Sequence, residues 1–299
     1  MPSNHLRVAT LNIWNRSGPW PERLRLIREQ LRVLDPDVLG LQEVLRTVSD
    51  GQEPNGTWTA SASASHDPTA DQASAIAGGS HPHIAYAAAM DYGNGLLFGN
   101  ALATKYPILE SSAFELPGRE TGEARSLLYA LVDHPRGKLP IFVTHLNWKL
   151  HHGAVRVRQV VAICDRVKEL APVDDVETLP PVIMGDFNAD PDSDEMRFLR
   201  GLATIDGQSV YYADAWIYGG DGGPGYTFDR KNRFAALAHE PSRRIDYIMV
   251  RGPDSKLRGE PTRTRLAFAT KLEGSGGDVW PSDHFGVVTE LTAEPKSWE

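Results

Sequence analysis

Apolar residues recur along the chain with two periods, one typical of strands and one typical of helices. Residues 5–14 place apolar side chains among polar ones, as a strand does. Between residues 24 and 34, leucine and isoleucine recur three and four positions apart, which predicts a helix that ends before Pro36. Residues 37–43 form a short, nearly continuous apolar run, typical of a strand that is buried on both faces.

Residues 46–82 interrupt this pattern, because small and polar residues replace the bulky aliphatic ones. We predict a mobile surface loop there, with a short helix at residues 71–77. No linker divides the remaining pattern, so we expect one α/β or α+β domain over residues 1–299, with a flexible insertion at about 46–82. Further strands are predicted at 84–90, 95–104, 126–133, 139–144, 181–185, 245–250 and 285–291, and further helices at 157–167 and 193–202.

Composition narrows the class of protein. The chain has 31 Lys+Arg against 39 Asp+Glu, a formal net charge of -8, which argues against a protein that coats nucleic acid. Its single cysteine, Cys164, excludes an intramolecular disulfide and a cysteine-rich zinc cluster. Any bound metal would therefore be held by oxygen and imidazole ligands.

Targeting signals are absent from the pattern. No segment approaches the roughly 20 consecutive apolar residues of a membrane-spanning helix. Polar residues interrupt the apolar run at the N-terminus, so it does not resemble a signal peptide. We expect a soluble, cytoplasmic protein, and no pattern indicates its oligomeric state.

Polar residues repeatedly stand where the predicted strands end, which is where α/β folds place ligand chemistry. One such residue is more often a turn former than a ligand, but a series of them favours a shared site. Asp186 and Asn188 are two residues apart, so both side chains leave a strand on the same face. That spacing suits a carboxylate acting on water beside an amide that donates to a phosphoryl oxygen. The strand ends are Asn12, Gln42-Glu43, Thr144-His145, Asp186-Asn188, Asp246 and Asp283-His284.

The strings around these residues resemble the signature of the endonuclease/exonuclease/phosphatase superfamily, and they occur in its order. Those strings are Thr10-Leu-Asn12, Leu41-Gln-Glu43, Thr144-His-Leu146, Gly185-Asp-Phe-Asn188, Arg244-Ile-Asp-Tyr247 and Ser282-Asp-His-Phe285. The superfamily includes deoxyribonucleases, abasic-site endonucleases, sphingomyelinases, inositol polyphosphate 5-phosphatases and deadenylases. The resemblance implies a four-layered α/β/β/α sandwich of two mixed β-sheets flanked by helices. It also implies a hydrolase that cleaves phosphoester bonds with Mg²⁺ or Mn²⁺.

The same resemblance implies roles for individual residues. Glu43, assisted by Asn12 and Asp283, matches the metal position, and all-oxygen ligands suit Mg²⁺ or Mn²⁺ rather than zinc. Asp186 would orient or deprotonate the attacking water. Asn188 would hold a phosphoryl oxygen.

The histidines carry two further expectations. His284, fixed by Asp246, would contact the phosphate, and the general base is either Asp186 or His284. His145 would bind the phosphate or assist the leaving group. The alternative for His145 is a structural histidine at a strand end.

Three residues are candidate substrate contacts. Asn100 is either an active-site contact or part of a turn, with equal weight. Arg125 is either a phosphate clamp or the partner of Glu123 in an ion pair. Trp148 would line the mouth of the site, unless it belongs to the core. A basic rim around the site is a further candidate, formed by Arg230, Lys231, Arg233, Arg243 and Arg244. The alternative is a solvated loop in which Arg244 forms a salt bridge.

The substrate is the least determined feature. The net charge disfavours duplex DNA, because duplex-binding members of the family need an electropositive face. We expect a small nucleotide-like or lipid-headgroup phosphoester, with single-stranded DNA or RNA as the alternative substrate. A catalytically silent binding protein is a third hypothesis, disfavoured because Glu43, Asp186 and His284 are all present.

Overall fold

The structure is a computed structural model that describes residues 5–49, 53–59, 71–172, 177–252, 254–274 and 277–295. Its strands are β1 (His5–Asn12), β2 (Val38–Thr47), β3 (Gly56–Thr59), β4 (His83–Asp91), β5 (Leu96–Thr104), β6 (Ile108–Leu116), β7 (Arg125–His134), β8 (Gly137–His145), β9 (Val182–Asp186), β10 (Tyr212–Asp214), β11 (Asp246–Arg251), β12 (Pro261–Ala267) and β13 (Gly286–Thr292). Its α-helices are α1 (Trp20–Leu34), α2 (Gln72–Ala77), α3 (Gly153–Leu170), α4 (Asp194–Leu199) and α5 (Ala215–Gly219).

The strands form two mixed sheets. The first has the order β12-β13-β1-β2-β5-β4-β3, and the second has the order β10-β11-β9-β8-β7-β6. Neighbouring strands are antiparallel except for the pairs β1–β2 and β8–β9. Each parallel pair is joined by a helical crossover, α1 in the first sheet and α3 in the second.

The sheets stack face to face, and helices α1 to α4 cover their outer faces. Val8, Val143 and Met184 belong to the apolar layer between the sheets. On one outer face α1 and α2 pack against the first sheet, and on the other α3 and α4 pack against the second. The predicted four-layered α/β/β/α sandwich is therefore confirmed.

Helix α1 shows how the sequence sets these boundaries. Pro21 in its first turn needs no hydrogen-bonded N–H there. The helix ends at Asp35, which adopts a left-handed conformation with φ 44°, and Pro36 follows. No helix in the described ranges has the length and apolar character needed to cross a lipid bilayer.

Several elements differ from the sequence prediction. β3, β6, β10, β12 and α5 were not predicted; β6 and β12 are at or near sheet edges, where many side chains face solvent and dilute the apolar pattern. Within the predicted loop at 46–82, Thr47 ends β2 and β3 pairs with β4, so that part is ordered as sheet. The short helix is confirmed as α2. Residues 50–52 and 60–70 of the loop lie outside the described residues.

Candidate active site

Strand register brings the predicted site residues together. Asp186, the last residue of β9, pairs with His145 in β8 on one side and with Asp246 in β11 on the other. In the first sheet, Asn12 pairs with Gln42 at the ends of β1 and β2. Because the sheets are stacked, these strand ends converge at one edge of the sandwich.

Local backbone geometry explains the Gly-Asp-Phe-Asn string. Gly185 has φ 141°, and a Cβ atom there would lie 2.0 Å from the Thr144 carbonyl oxygen, so only glycine fits. Asn188 has φ 50°, and its backbone N–H donates to Asp186 Oδ1 at 2.8 Å. Asn188 Nδ2 donates to the Leu146 carbonyl at 3.0 Å. The turn therefore fixes both the carboxylate and the amide.

The Asp186 carboxylate is the centre of the site. Its Oδ2 accepts a hydrogen bond from Asn12 Nδ2 at 3.0 Å, and it lies 3.5 Å from His145 Nε2 and 3.7 Å from His284 Nε2. Burial, together with the nearby Asp246 carboxylate, raises the pKa of Asp186 to about 7. This carboxyl group therefore exchanges its proton near neutral pH.

His284 is held in one orientation. Its Nδ1 lies 2.8 Å from Asp246 Oδ2, and its ring packs 5.1 Å from the Phe228 ring. Burial alone would lower the pKa of this imidazole, but the carboxylates of Asp246, Asp283 and Asp186 outweigh burial and raise that pKa well above the usual range. His284 is therefore an imidazolium at neutral pH, with Nε2 as a donor.

Glu43 enters the site through a bulge in β2. Leu41 pairs with Ala101 and Val44 with Gly99, so Gln42 and Glu43 together oppose one residue, and Glu43 has φ 60°. The bulge redirects the Glu43 carboxylate toward the strand ends.

Two amides hold that carboxylate. Glu43 Oε1 accepts from Asn12 Nδ2 at 3.3 Å, and its Oε2 accepts from Asn15 Nδ2 at 3.0 Å. Asn12 thus bridges Glu43 and Asp186, while its own Oδ1 accepts the Trp14 N–H at 3.0 Å. Asp283 lies close enough for burial and the Glu43 charge to raise the pKa of Asp283 to about 6.

The donor set fits a divalent cation. Asp186, Asp246 and His284 offer ligand atoms within 4.8 Å of one another, and Asp246 Oδ1 is buried without a hydrogen-bond partner among the described residues. Glu43, which shares the Asn12 amide with Asp186, and Asp283, whose pKa responds to the Glu43 charge, add two carboxylates. Crowded buried carboxylates repel one another, and a divalent cation relieves that repulsion. The oxygen-rich set suits a hard cation.

His145 differs from His284 in charge. Burial and the neighbouring cations Arg125 and His284 lower its pKa well below the usual range, so its imidazole is neutral. Arg125 Nη1 lies 3.1 Å from His145 Nδ1 and must be the donor, which leaves the proton on Nε2, facing Asp186. Arg125 also pairs with Glu123 at 3.3 Å. The ion pair weighed for Arg125 is therefore present, and its role as a phosphate clamp stays a prediction.

The other two candidate substrate residues lie beside this cluster. Asn100 is buried inside β5, opposite the β2 bulge, and its Nδ2 donates to the Ser126 carbonyl at 2.9 Å, so it is not part of a turn. Its contact with substrate stays a prediction. Trp148 is 51% exposed on the loop after β8, and its backbone N–H donates to Glu123 Oε2 at 3.4 Å. Trp148 therefore belongs to the surface near His145 and not to the core.

The predicted basic rim does not form as a unit, because Arg243 and Arg244 are buried. Arg243 bonds to Asp190, Glu240 and the Asn188 carbonyl, and Arg244 pairs with Asp214 at 2.9 Å. Arg243 thus supports the turn of the Gly-Asp-Phe-Asn string.

Sequence analysis also missed Arg23, a fully buried residue whose guanidinium donates to the carbonyls of Ser17 and Pro281. The sequence contained a signal for this burial, because Arg23 stands four positions before Ile27, on the apolar face of α1. The prediction overlooked Gln72 as well, which links α2 to the Asn15 carbonyl at 2.9 Å.

The chain belongs to the Endonuclease/Exonuclease/phosphatase family, whose sequence model matches residues 9–284. It is therefore a hydrolase acting on phosphoester bonds, from a family of enzymes that depend on a divalent metal. A similar curated protein is the CCR4-Not complex 3'-5'-exoribonuclease subunit Ccr4 of Kluyveromyces lactis, 26% identical over 167 residues. The match covers 50% of this chain and 21% of that protein, so this chain spans about a fifth of the relative's length.

Solved structures share the fold. D. rerio TDP2 complexed with single strand DNA product has a TM-score of 0.70 and 22% identity, and the match covers 97% of this chain and 99% of that one. An endonuclease/exonuclease/phosphatase from Bacteroides vulgatus has a TM-score of 0.68 and 18% identity, with 98% and 99% covered. TDP2 from C. elegans has a TM-score of 0.66 and 18% identity, with 96% and 75% covered.

Proposed function

We propose that this protein is a metal-dependent phosphodiesterase that cleaves nucleotidic phosphodiesters, with short single-stranded nucleic acid as its substrate class. One observation carries the proposal. The buried Asp186 carboxylate lies within 3.0 to 3.7 Å of Asn12, His145 and His284, three groups supplied by strand ends from both sheets. Such a cluster combines a proton acceptor, the Asp186 carboxylate, with one cationic donor, His284, and two neutral donors, Asn12 and His145.

The roles of the residues follow from their charges. Asp186, with a pKa near 7, accepts the proton of the attacking water, and the imidazolium of His284 cannot. His284 Nε2 donates to a phosphoryl oxygen, and the second N–H of the Asn188 amide supports the same group. Neutral His145 presents Nε2–H to the leaving oxygen.

Glu43 and Asp283, with Asn12, are the proposed ligands of a divalent cation, and His284 is not a ligand because its imidazolium ring has no free lone pair. When bound, a divalent cation neutralises the charge that develops on phosphoryl oxygens. Arg125 positions His145 by donating to its Nδ1. The Mg²⁺ or Mn²⁺ expected from the sequence agrees with this all-oxygen set.

Aromatic side chains at the mouth support a nucleotidic substrate. Tyr92 is 55% exposed, its ring lies 5.9 Å from Phe98, and the Phe98 ring lies 6.5 Å from His145. The exposed rings of Tyr92 and Trp148 offer faces on which unstacked bases can pack. The D. rerio TDP2 complex with single strand DNA product and the Ccr4 exoribonuclease support the same substrate class. The net charge of -8 disfavours a duplex.

The test is hydrolysis of four substrates with Mg²⁺, Mn²⁺ or EDTA: bis-p-nitrophenyl phosphate, p-nitrophenyl phosphate, p-nitrophenyl phosphorylcholine and a labelled single-stranded oligonucleotide. We expect metal-dependent cleavage of the two nucleic-acid-like diesters, lost in Asp186→Asn. The matched control is Asp192→Asn, an exposed carboxylate six residues away. Preference for the phosphorylcholine ester would overturn the substrate class in favour of a lipid headgroup. Absence of turnover on all four would favour the catalytically silent alternative.

A further inference from the structure

Gln72, the first residue of α2, is 0% exposed although its side chain is polar. Its amide makes hydrogen bonds to two separate parts of the backbone. Nε2 donates to the Asn15 carbonyl at 2.9 Å, and Oε1 accepts the Leu45 N–H at 2.8 Å. A buried amide that is bonded at both ends holds its two backbone partners at a fixed separation.

These two backbone partners lie on either side of the proposed metal ligand Glu43. Leu45 follows Glu43 by two residues in β2. Asn15 contacts Glu43 directly, because its Nδ2 donates to Glu43 Oε2 at 3.0 Å. The Gln72 side chain therefore joins the strand that carries the carboxylate to the loop that orients it.

The start of α2 lies beside β2 at the point where the pairing of β1 with β2 ends. That parallel pairing ends at Asn12 and Gln42, whereas β5 follows the other edge of β2 to its last residue. The Leu45 N–H therefore lies beyond the end of β1, and the α2 amide side chain supplies its acceptor. A backbone bridge between Arg46 and Asp71 lies at the same edge. The start of α2 thus replaces β1 beside the bulge of β2.

The two residues that meet at this point have unusual backbones. Glu43 has φ 60° and Asn15 has φ 39°, left-handed values that a non-glycine residue keeps where surrounding contacts hold it. The hydrogen bonds of Gln72 are among those contacts, since they fix the Asn15 carbonyl and the chain just after Glu43. Without them both backbones relax more readily, and the Glu43 carboxylate and the Asn15 amide separate.

Helix α2 is itself anchored, so it provides a fixed support. Asp71 caps its N-terminus by accepting the Ser74 N–H at 3.2 Å, and Ser74 Oγ accepts from Trp58 Nε1 at 3.2 Å. Arg28 of α1 donates to the Ala75 carbonyl at 2.5 Å. These contacts hold the helix against α1 and β3.

We propose that Gln72 is a positioning residue for the metal ligand Glu43, so that α2 supports the cation site from outside it. This inference rests on the proposed function, which makes Glu43 a ligand. It gives part of the segment at 46–82, which the sequence predicts as a mobile surface loop, a role in organising the active site.

The test compares Gln72→Met with Ser74→Ala, which removes the hydrogen bonds of Ser74 to Asp71 and Trp58 in the same helix. Both variants should lower Tm, because each removes hydrogen bonds that anchor α2. Calorimetric titration of the folded proteins with Mn²⁺ should give a Kd about tenfold higher for Gln72→Met, the loss typical of a residue that orients a metal ligand. Ser74→Ala should bind Mn²⁺ as the wild type does. Equal Kd values for the two variants would overturn the positioning role.

A metal-free measurement separates this inference from the proposed function. In EDTA, the NMR signal of the Asn15 side-chain amide reports its hydrogen bond to Glu43. We expect Gln72→Met to move this signal toward its position in Glu43→Ala, and Ser74→Ala to leave it in place.

The two failures have different signatures. If Glu43→Ala binds Mn²⁺ as tightly as the wild type, the proposed ligand is wrong, and a signal displaced by Gln72→Met still supports positioning of the Glu43 carboxylate. If Glu43→Ala weakens binding but Gln72→Met changes neither the Kd nor the amide signal, the positioning role is wrong and the metal site stands.

Discussion

Replacing Arg23 with methionine should destabilise the protein and weaken its metal site together. The guanidinium donates to the carbonyls of Ile13, Ser17 and Pro281, and the residue is 0% exposed. It lies between the rings of two tryptophans, at 5.0 and 5.4 Å. Methionine preserves much of the apolar volume but leaves the three carbonyls without this donor.

The magnitude follows from these contacts. A buried acceptor left without a partner costs about 1 to 3 kcal/mol. With partial relaxation, three such acceptors give a loss of about 4 kcal/mol in the free energy of unfolding. For a domain of this size that loss lowers Tm by about 6 °C. Burial lowers the pKa of Arg23 to about 10, so the side chain is charged at neutral pH and its interactions are fully present.

The proposed metal site should respond because Arg23 joins the loop after β1, which holds Glu43 through Asn15, to the loop that carries Asp283. Without the guanidinium these loops separate more readily, so the Kd for Mg²⁺ or Mn²⁺ should rise. Arg23→Lys should fall between wild type and Arg23→Met, because a lysine lacks the planar fork.

Thermal unfolding in EDTA and calorimetric metal titration measure the two effects. The control is Arg25→Met on the same helix, where the side chain is exposed and forms only a 3.7 Å pair with Glu29. That control should change stability by less than about 0.5 kcal/mol. If Arg23→Met unfolds within 2 °C of the wild type and binds metal normally, the positioning role is wrong.

Three further predictions concern residues of β9 and β11 at the candidate active site. In EDTA, the pKa values of Asp186 and Asp283 are raised, so the folded state retains protons that the unfolded state loses between about pH 4 and pH 7. Stability should therefore fall as the pH rises across that window. Asp186→Asn should reduce that fall, which urea unfolding at pH 5 and pH 8 would show. The same variant should be inactive in the hydrolysis assay. Gly185→Ala should lose more than about 3 kcal/mol, since its Cβ meets a β8 carbonyl, whereas Gly207→Ala, with open space and φ 74°, should lose about 1 kcal/mol in the same assay. Asp246→Asn should lower the pKa of His284 and move the alkaline limb of the pH–rate profile to lower pH; an unmoved limb would show that this imidazolium is not required.

Strands that are buried on both faces were predicted from the sequence, whereas strands that are buried on one face were missed. β2 and β9 are continuous apolar runs and were found, because both faces lie against packed layers. β12 was missed because Arg263 and Arg265 face solvent and its apolar content is low. Its place in the sheet is fixed by pairing with β13, which no local pattern encodes.

The sequence predicted which residues form the site better than it predicted how they are arranged. The motif order gathered Asn12, Asp186 and His284, and the structure places them around one carboxylate. The bulge that turns Glu43 inward depends on register with β5, which a single sequence does not reveal. Roles for these residues and the single-domain organisation stay predictions.

Buried arginines hold the loops that follow three of the site strands. Arg23 donates to carbonyls after β1, Arg156 donates to the carbonyls of Asn147 and Lys149 after β8, and Arg243 donates to the Asn188 carbonyl after β9. Acidic partners balance two of them, Glu195 for Arg156 and Asp190 for Arg243.

These arginines are unavailable to a substrate, although they account for part of the chain's positive charge. In the proposed mechanism, phosphate recognition at the reacting centre depends on His284, the Asn188 amide and a divalent cation, so cleavage of a minimal diester should depend only weakly on salt.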